Sequence, residues 1–148
     1  GHRSGIDFAI FDYRYTTGSG KNKNTYTQTA ILLTLPNANL PIFYIRPEGF
    51  FDKVATKFGG ADINFPDRPD FSKKYRLTGA DETAVRQAFN DSLLTYFEAQ
   101  DKKWVEGNGS QLLYYSLRHR FPLASLLEHL ESVTQLSTLL HRSGFSNY

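Results

Sequence analysis

Alternation of apolar and polar positions dominates the first third of the chain. Ile6–Thr17 opens with the apolar run Phe8, Ala9, Ile10 and Phe11. Tyr13 and Tyr15 then alternate with Asp12 and Arg14. A period of two predicts a half-buried strand with Ala9, Phe11, Tyr13 and Tyr15 on one face. Gly18–Asn24 is a turn cluster, and Thr25–Leu35 reads as a second strand with Ile31, Leu33 and Leu35 on one side. Two strands around a Gly/Asn-rich loop predict a β-hairpin. Pro36–Asn39 is the next turn, and Pro41–Arg46 is a short third strand ending before Pro47.

The period then changes. Phe51, Val54, Ala55 and Phe58 fall at helical spacing, so Glu48–Gly60 reads as a short helix ended by Gly59-Gly60. Phe71–Leu77 reads as a strand. From Thr78–Asp81 to about Gln100 the stripe Val85, Ala88, Phe89, Leu93, Tyr96 and Phe97 predicts one helix. Lys103–Glu106 and Gln111–Leu117 flank Gly107–Ser110, a strong hairpin signal. Pro122 suits a first helical position, and Leu123, Leu126, Leu127, Leu130 and Val133 mark a last helix running toward Leu140.

The resulting order, βββ-α-β-α-ββ-α, predicts an α+β fold: an antiparallel sheet of about five or six strands packed by two or three helices. One domain is expected over 3–142, with 143–148 a frayed tail. The expected core is Phe11, Ile31, Leu33, Phe43, Ile45, Val85, Phe89, Phe97, Trp104, Leu113, Leu126, Leu127 and Leu130. Polar residues on the first strand imply that the other sheet face is wet or covered by something else.

Composition adds limits. At 148 residues with 40% hydrophobic content, the chain can bury a core without covalent staples. The 12 Phe and 9 Tyr suit a ring-filled core. Absence of Cys excludes disulfides, thiol catalysis and Cys-based zinc sites. Residues 1–79 hold 11 Lys/Arg and 7 Asp/Glu, whereas residues 80–148 hold 6 and 8. That asymmetry is too mild for a nucleic-acid footprint, so nucleic acid is not an expected partner. There is no Met, which suggests a domain cut from a longer chain, with Gly1-His2 set aside as a scar.

Gly18-Ser-Gly-Lys21 lacks the first glycine, the Ser/Thr after lysine and the following helix of a phosphate-binding loop, so nucleotide hydrolysis is rejected. Lys21 and Lys23 remain as a basic hairpin tip, most simply a solvated one. Asp12 and Arg14 share a strand face and could form an ion pair or a polar site. An exposed pair contributes only ~0–1 kcal/mol, so stability explains it poorly. Arg46 closes the third strand next to Pro47 and Glu48. The candidate binding residues are thus Asp12, Arg14, Lys21, Lys23 and Arg46. His129 and His141 are about 18 Å apart on one helix and cannot share a metal. No metal, cofactor or catalytic set follows from the residues, and an enzyme is the less favoured reading.

The strings Phe11–Lys21, Thr29-Ala-Ile-Leu32, Leu40-Pro41, Arg46-Pro-Glu48 and Asp62-Ile-Asn-Phe65 resemble a family of bacterial proteins of unknown function in which a soluble domain follows one or more membrane helices. The resemblance spans most of the chain and supplies no catalytic residues. It implies a domain held near a bacterial membrane, on its cytoplasmic face, by segments outside this chain. The leading expectation is a non-catalytic interaction or sensory module, its partner unknown and either a protein or a small apolar ligand. The alternatives are a small-ligand or lipid-binding domain with an apolar cavity, and a hydrolase or nuclease with a cleft of carboxylates or histidines.

Overall fold

In the computed structural model, which describes residues 1–49 and 62–142, seven strands form one antiparallel sheet. The strands are β1 (His2–Arg3), β2 (Ile6–Thr17), β3 (Asn24–Thr34), β4 (Leu40–Pro47), β5 (Tyr75–Gly79), β6 (Trp104–Gly109) and β7 (Gln111–Tyr115). The helices are α1 (Pro69–Lys74), α2 (Glu82–Ala88), α3 (Asp91–Ala99) and α4 (Leu126–Arg142). The sheet order is β1-β2-β3-β7-β6-β4-β5. The α+β class and antiparallel sheet match the sequence reading. The strand count and element order do not.

Several differences have local causes. Gly1-His2, set aside as a scar, belongs to the sheet: His2 and Arg3 pair with Asp7 and Ile6. Ser4 and Gly5 both adopt positive φ, which a tight two-residue hairpin with the strands' own twist requires. The expected strand Phe71–Leu77 begins as helix α1, because Pro69 is pre-set for a first helical turn. The single helix expected to Gln100 is two. Asn90 accepts a hydrogen bond from the Leu93 N–H and caps a new start, as Asp81 does for α2 through Ala84. The last helix begins at Leu126 after a 3-10 turn over Leu123–Ser125. The expected helix over 48–60 lies almost wholly outside the described residues.

One face of the sheet carries the main core. Ile31 and Leu33 of β3, Phe43 and Ile45 of β4, Leu77, Val105, Leu112 and Tyr114 meet Val85, Phe89, Leu93, Phe97, Val133 and Leu136 from α2, α3 and α4. Each large apolar side chain buried this way contributes about 1.5–3 kcal/mol. Phe43 and Phe89 meet edge to face at 5.1 Å. Gly107 sits opposite Phe43 because a Cβ there would strike the Phe43 ring. On the opposite face Ala30, Tyr44, Trp104 and Tyr115 form a smaller buried cluster.

Four core expectations need correction. Phe11 is exposed, because β2 lies near the sheet margin and its second face meets no helix of the described residues. Leu127 is exposed, being rotated off the buried stripe Leu130, Val133, Ser137 and Leu140 of α4. Leu126 and Leu113 are only half-buried.

Candidate functional site

β2 and β3 pair without a register shift from Asp7↔Thr34 to Thr17↔Asn24. β7 supports β3 only from Ala30 to Thr34. The outer half of the hairpin therefore projects past the sheet as a two-stranded ribbon. Ile10, Asp12, Arg14 and Thr16 lie on the helix side, in register with Ile31, Thr29, Thr27 and Thr25. Phe11, Tyr13 and Tyr15 lie on the other face. The Tyr13 and Tyr15 rings stack at 5.8 Å, Tyr15 meets Tyr26 at 5.6 Å, and the Arg118 guanidinium lies 4.1 Å above the Tyr26 ring.

The expected site residues separate on this frame. Asp12 and Arg14 do share a face. The partners of Asp12, however, are Arg120 at 2.7 Å and the Thr29 hydroxyl, which donates at 2.8 Å. Thr29 Oγ1 also accepts from the buried Phe121 N–H at 2.9 Å. Asp12 is thus fixed by the connection between β7 and α4. Lys21 and Lys23 are exposed at the hairpin tip, where Gly20–Asn22 makes a 3-10 turn and a strand follows. Arg46 is buried on the second face of β4. Four strand spacings separate β4 from β2, about 19 Å. The structure therefore does not bring Arg46 together with Asp12 and Arg14.

Beside Asp12, a shallow groove of about 380 Å³ is lined by Ile10, Phe11, Thr29, Arg120, Phe121, Leu123 and Leu126. Its rim is unusually apolar for surface. Leu123 is 85% exposed, Phe11 40% and Ile10 36%. Sequence reasoning placed Leu123 and Leu127 on a buried stripe and Phe11 in the core. The missing signal was long-range: the chain reaches Leu123 through a turn that ends beside β2.

A second, polar cleft of about 380 Å³ runs between α4 and the start of β6. The His129 ring stacks on Phe121 at 3.8 Å, and Lys103 Nζ lies 5.8 Å from the same ring's centroid. Burial lowers the pKa of Lys103. Burial, and then the neighbouring Lys103 charge, lower that of His129. Burial pushes the Tyr114 hydroxyl up to about 12, and Tyr114 Oη meets His129 Nδ1 at a long 3.4 Å. Ser132 is engaged with Tyr96 and Gln100, at 2.8 and 3.3 Å. Asp101, Glu128 and Glu131 also line this cleft. Among the described residues no group of three His, Asp or Glu side chains is placed to hold a metal ion. Within the cleft the His129 ring thus contacts Phe121 and Tyr114, and the Ser132 hydroxyl is engaged by Tyr96 and Gln100.

A third cleft, about 320 Å³, opens between the β1–β2 turn, the turn before β4 and the end of α4. Ile6, Leu35, Leu40 and Leu140 form an apolar wall, with His141 and Arg142 at the rim. No helix of the described residues is long and apolar enough to cross a membrane.

Neither the protein-family models nor the curated proteins contain a match to the chain. Among solved structures, the fold is similar to the crystal structure of the mycobacterial trehalose monomycolate transport factor A, TtfA. The TM-score is 0.57 at 14% identity, covering 84% of this chain and 69% of that one. At that identity the likeness is one of fold, and fold alone does not assign function.

Proposed function

We propose that this domain is a non-catalytic interaction module of a membrane-associated bacterial protein, docking a protein partner at the corner formed by β2 and the start of α4. The observation that carries this reading is the set of exposed apolar side chains Ile10, Phe11 and Leu123 that line one shallow groove, with Leu127 exposed on the following turn of α4. Scattered apolar residues on a surface are ordinary, whereas a contiguous patch marks an interaction site. Asp12 and Arg120 line the same groove and would orient a polar group of the partner. The membrane context rests on the strings Phe11–Lys21 and Arg46–Glu48, which resemble a membrane-anchored bacterial family. The fold likeness to a transport factor is compatible with that context.

The test is photo-cross-linking in the full-length protein within its native membrane. A photoreactive residue at Phe11 should capture a discrete protein. Leu123→Lys with Leu127→Lys should remove that capture while leaving the fold intact, since both side chains are already in water. Capture unaffected by the double change would overturn the reading.

A small-ligand reading is favoured by the 320 Å³ cleft, whose apolar wall and basic rim suit an acyl chain with an acidic head. It predicts that the purified domain carries excess native mass over its denatured mass. Leu35→Trp, which fills the cleft, should abolish that adduct. A native mass equal to the chain's own removes this reading.

A further inference from the structure

We propose that the free edge of β2 pairs antiparallel with the same edge of a second copy of this chain, joining two seven-stranded sheets across a two-fold axis at Tyr13. The inference rests on the interaction-module reading and names a partner for its edge.

The edge is long and open. β1 covers only Ile6 and Asp7, and Gly1 exchanges both backbone hydrogen bonds with Phe8. Beyond Phe8, no described residue bonds to the outer side of β2. Phe8 points its N–H and carbonyl outward, so by alternation Ile10, Asp12, Arg14 and Thr16 do the same. Open edges are commonly blunted by proline, a bulge or brevity. β2 has no proline, runs for 12 residues and keeps register with β3 throughout. Its only charges past Asp7 are Asp12 and Arg14, one of each sign.

Those two charges select a register. With Tyr13 on the axis, Asp12 lies opposite the partner's Arg14 and Arg14 opposite the partner's Asp12. Ile10 then faces the partner's Thr16, and on the other face Phe11 meets the partner's Tyr15. Sliding by two residues in one direction sets Asp12 against itself, and in the other sets Arg14 against itself. Like charges directly opposite are destabilising. A slide of one residue breaks the hydrogen-bonding phase and the facing of the side chains. One register therefore satisfies both charges and pairs the aromatic rows.

The surroundings fit that register. Thr29 and Arg120 already hold the Asp12 carboxylate where the partner's arginine would arrive. Leu123 lines the same groove as Ile10 and Asp12, offering apolar surface to that arginine's aliphatic stem. On the other side, the stacked Tyr13 and Tyr15 give cross-strand ring contacts at the axis.

Sedimentation of the purified domain from micromolar to millimolar concentration tests this. The unaltered chain should dimerise. R14D and D12R each put like charges opposite one another and should weaken self-association about ten-fold or more. Mixing the two variants restores both opposite-charge pairs, so the mixture should form a heterodimer. R14P deletes an outward N–H while sparing the β3 ladder and every contact of Asp12, and it should also give monomers. Circular dichroism checks that each variant is folded. A monomer at every concentration, a dimer indifferent to R14D and R14P, or a mixture that stays monomeric would each overturn the proposal. If the domain is monomeric but R14P abolishes cross-linking from Phe11 to a different protein, the edge serves that protein. Self-pairing then fails while the interaction-module reading stands. If neither self-association nor cross-linking occurs, both fall.

Discussion

Thr29 shows how much one side chain can hold. Its hydroxyl donates to Asp12 and accepts from the Phe121 N–H, and its own N–H bonds to the His119 carbonyl at 3.0 Å. Without it the Phe121 N–H would be buried and unpaired, a penalty of about 1–3 kcal/mol. Nothing in the string Tyr26-Thr-Gln-Thr29 announces this, because a β-branched threonine in a strand is ordinary and its partner Phe121 is 92 residues away. Asp12 was legible as a site candidate from its strand face, yet its ion-pair partner Arg120 was not, for the same reason. His129 gives the prediction at this scale. Burial and the Lys103 charge disfavour its protonated form, so its titration by NMR should have a midpoint below the ordinary 6.5. The sign follows from linkage. Above 6.5 the ring is neutral in folded and unfolded chains alike. As pH falls from there toward the lowered folded value, the unfolded chain takes up the proton first, and stability drops. His129→Gln should flatten that part of the stability–pH curve. A midpoint at or above 6.5 would show that the stack on Phe121 does not exclude water from the ring.

At the scale of elements, alternation was the strongest signal in the sequence. The limits of β2 follow from it directly, and those of β3 and β4 lie within a residue of expectation. A hairpin strand is specified by neighbours a few residues away, so local pattern suffices. Helices were less legible. Val85, Ala88, Phe89, Leu93, Tyr96 and Phe97 keep helical spacing across Asn90, because α2 and α3 both bury their apolar sides under the same sheet. The break is decided by competition within the backbone. The Asn90 side chain satisfies the Leu93 N–H, and Phe89 leaves helical geometry with ψ near 67°. The loop before α1 is tied down in a way no period reveals. Arg68 spans Glu98 with bonds of 3.0 and 2.9 Å and reaches Thr95 at 2.8 Å and Asp91 at 3.2 Å. The hydrogen bond to Glu98 foremost raises the Arg68 pKa, consistent with a forked contact that lysine could not reproduce. Of the candidate site, the Asp12–Arg14 face was readable from alternation, whereas the groove beside it needed the meeting of β2 with the segment before α4.

Across the whole molecule, support for the sheet is uneven, and this links stability to the proposed interactions. The strands β3, β7, β6 and β4 are paired on both sides and packed under α2, α3 and α4. The outer half of the β2–β3 hairpin has no strand beside it, since β7 stops at Tyr115 opposite Ala30, and apart from its own ladder it is held by the segment before α4, which bonds Thr29, Gln28 and Asp12. An isolated two-stranded ribbon is marginally stable in water. Amide exchange should therefore divide the molecule. N–H groups of Ile31, Leu33, Val105, Leu112 and Tyr114 should exchange only through near-global opening, and those of Tyr13, Tyr15 and Tyr26 through cheap local opening. The outward N–H groups of Ile10, Asp12, Arg14 and Thr16 bond to no described residue of the single chain and should exchange fastest of all. Raising the concentration changes the expectation for that last set alone, because edge pairing would bond the outward groups while leaving the core ladders as they were. Protection that grows at Ile10, Asp12, Arg14 and Thr16 with concentration, and disappears in R14P, would place the dimer contact on this edge. Protection that grows instead around Leu123 and Leu127, with β2 unchanged, would assign self-association to the apolar corner and leave the ribbon edge free for a different chain.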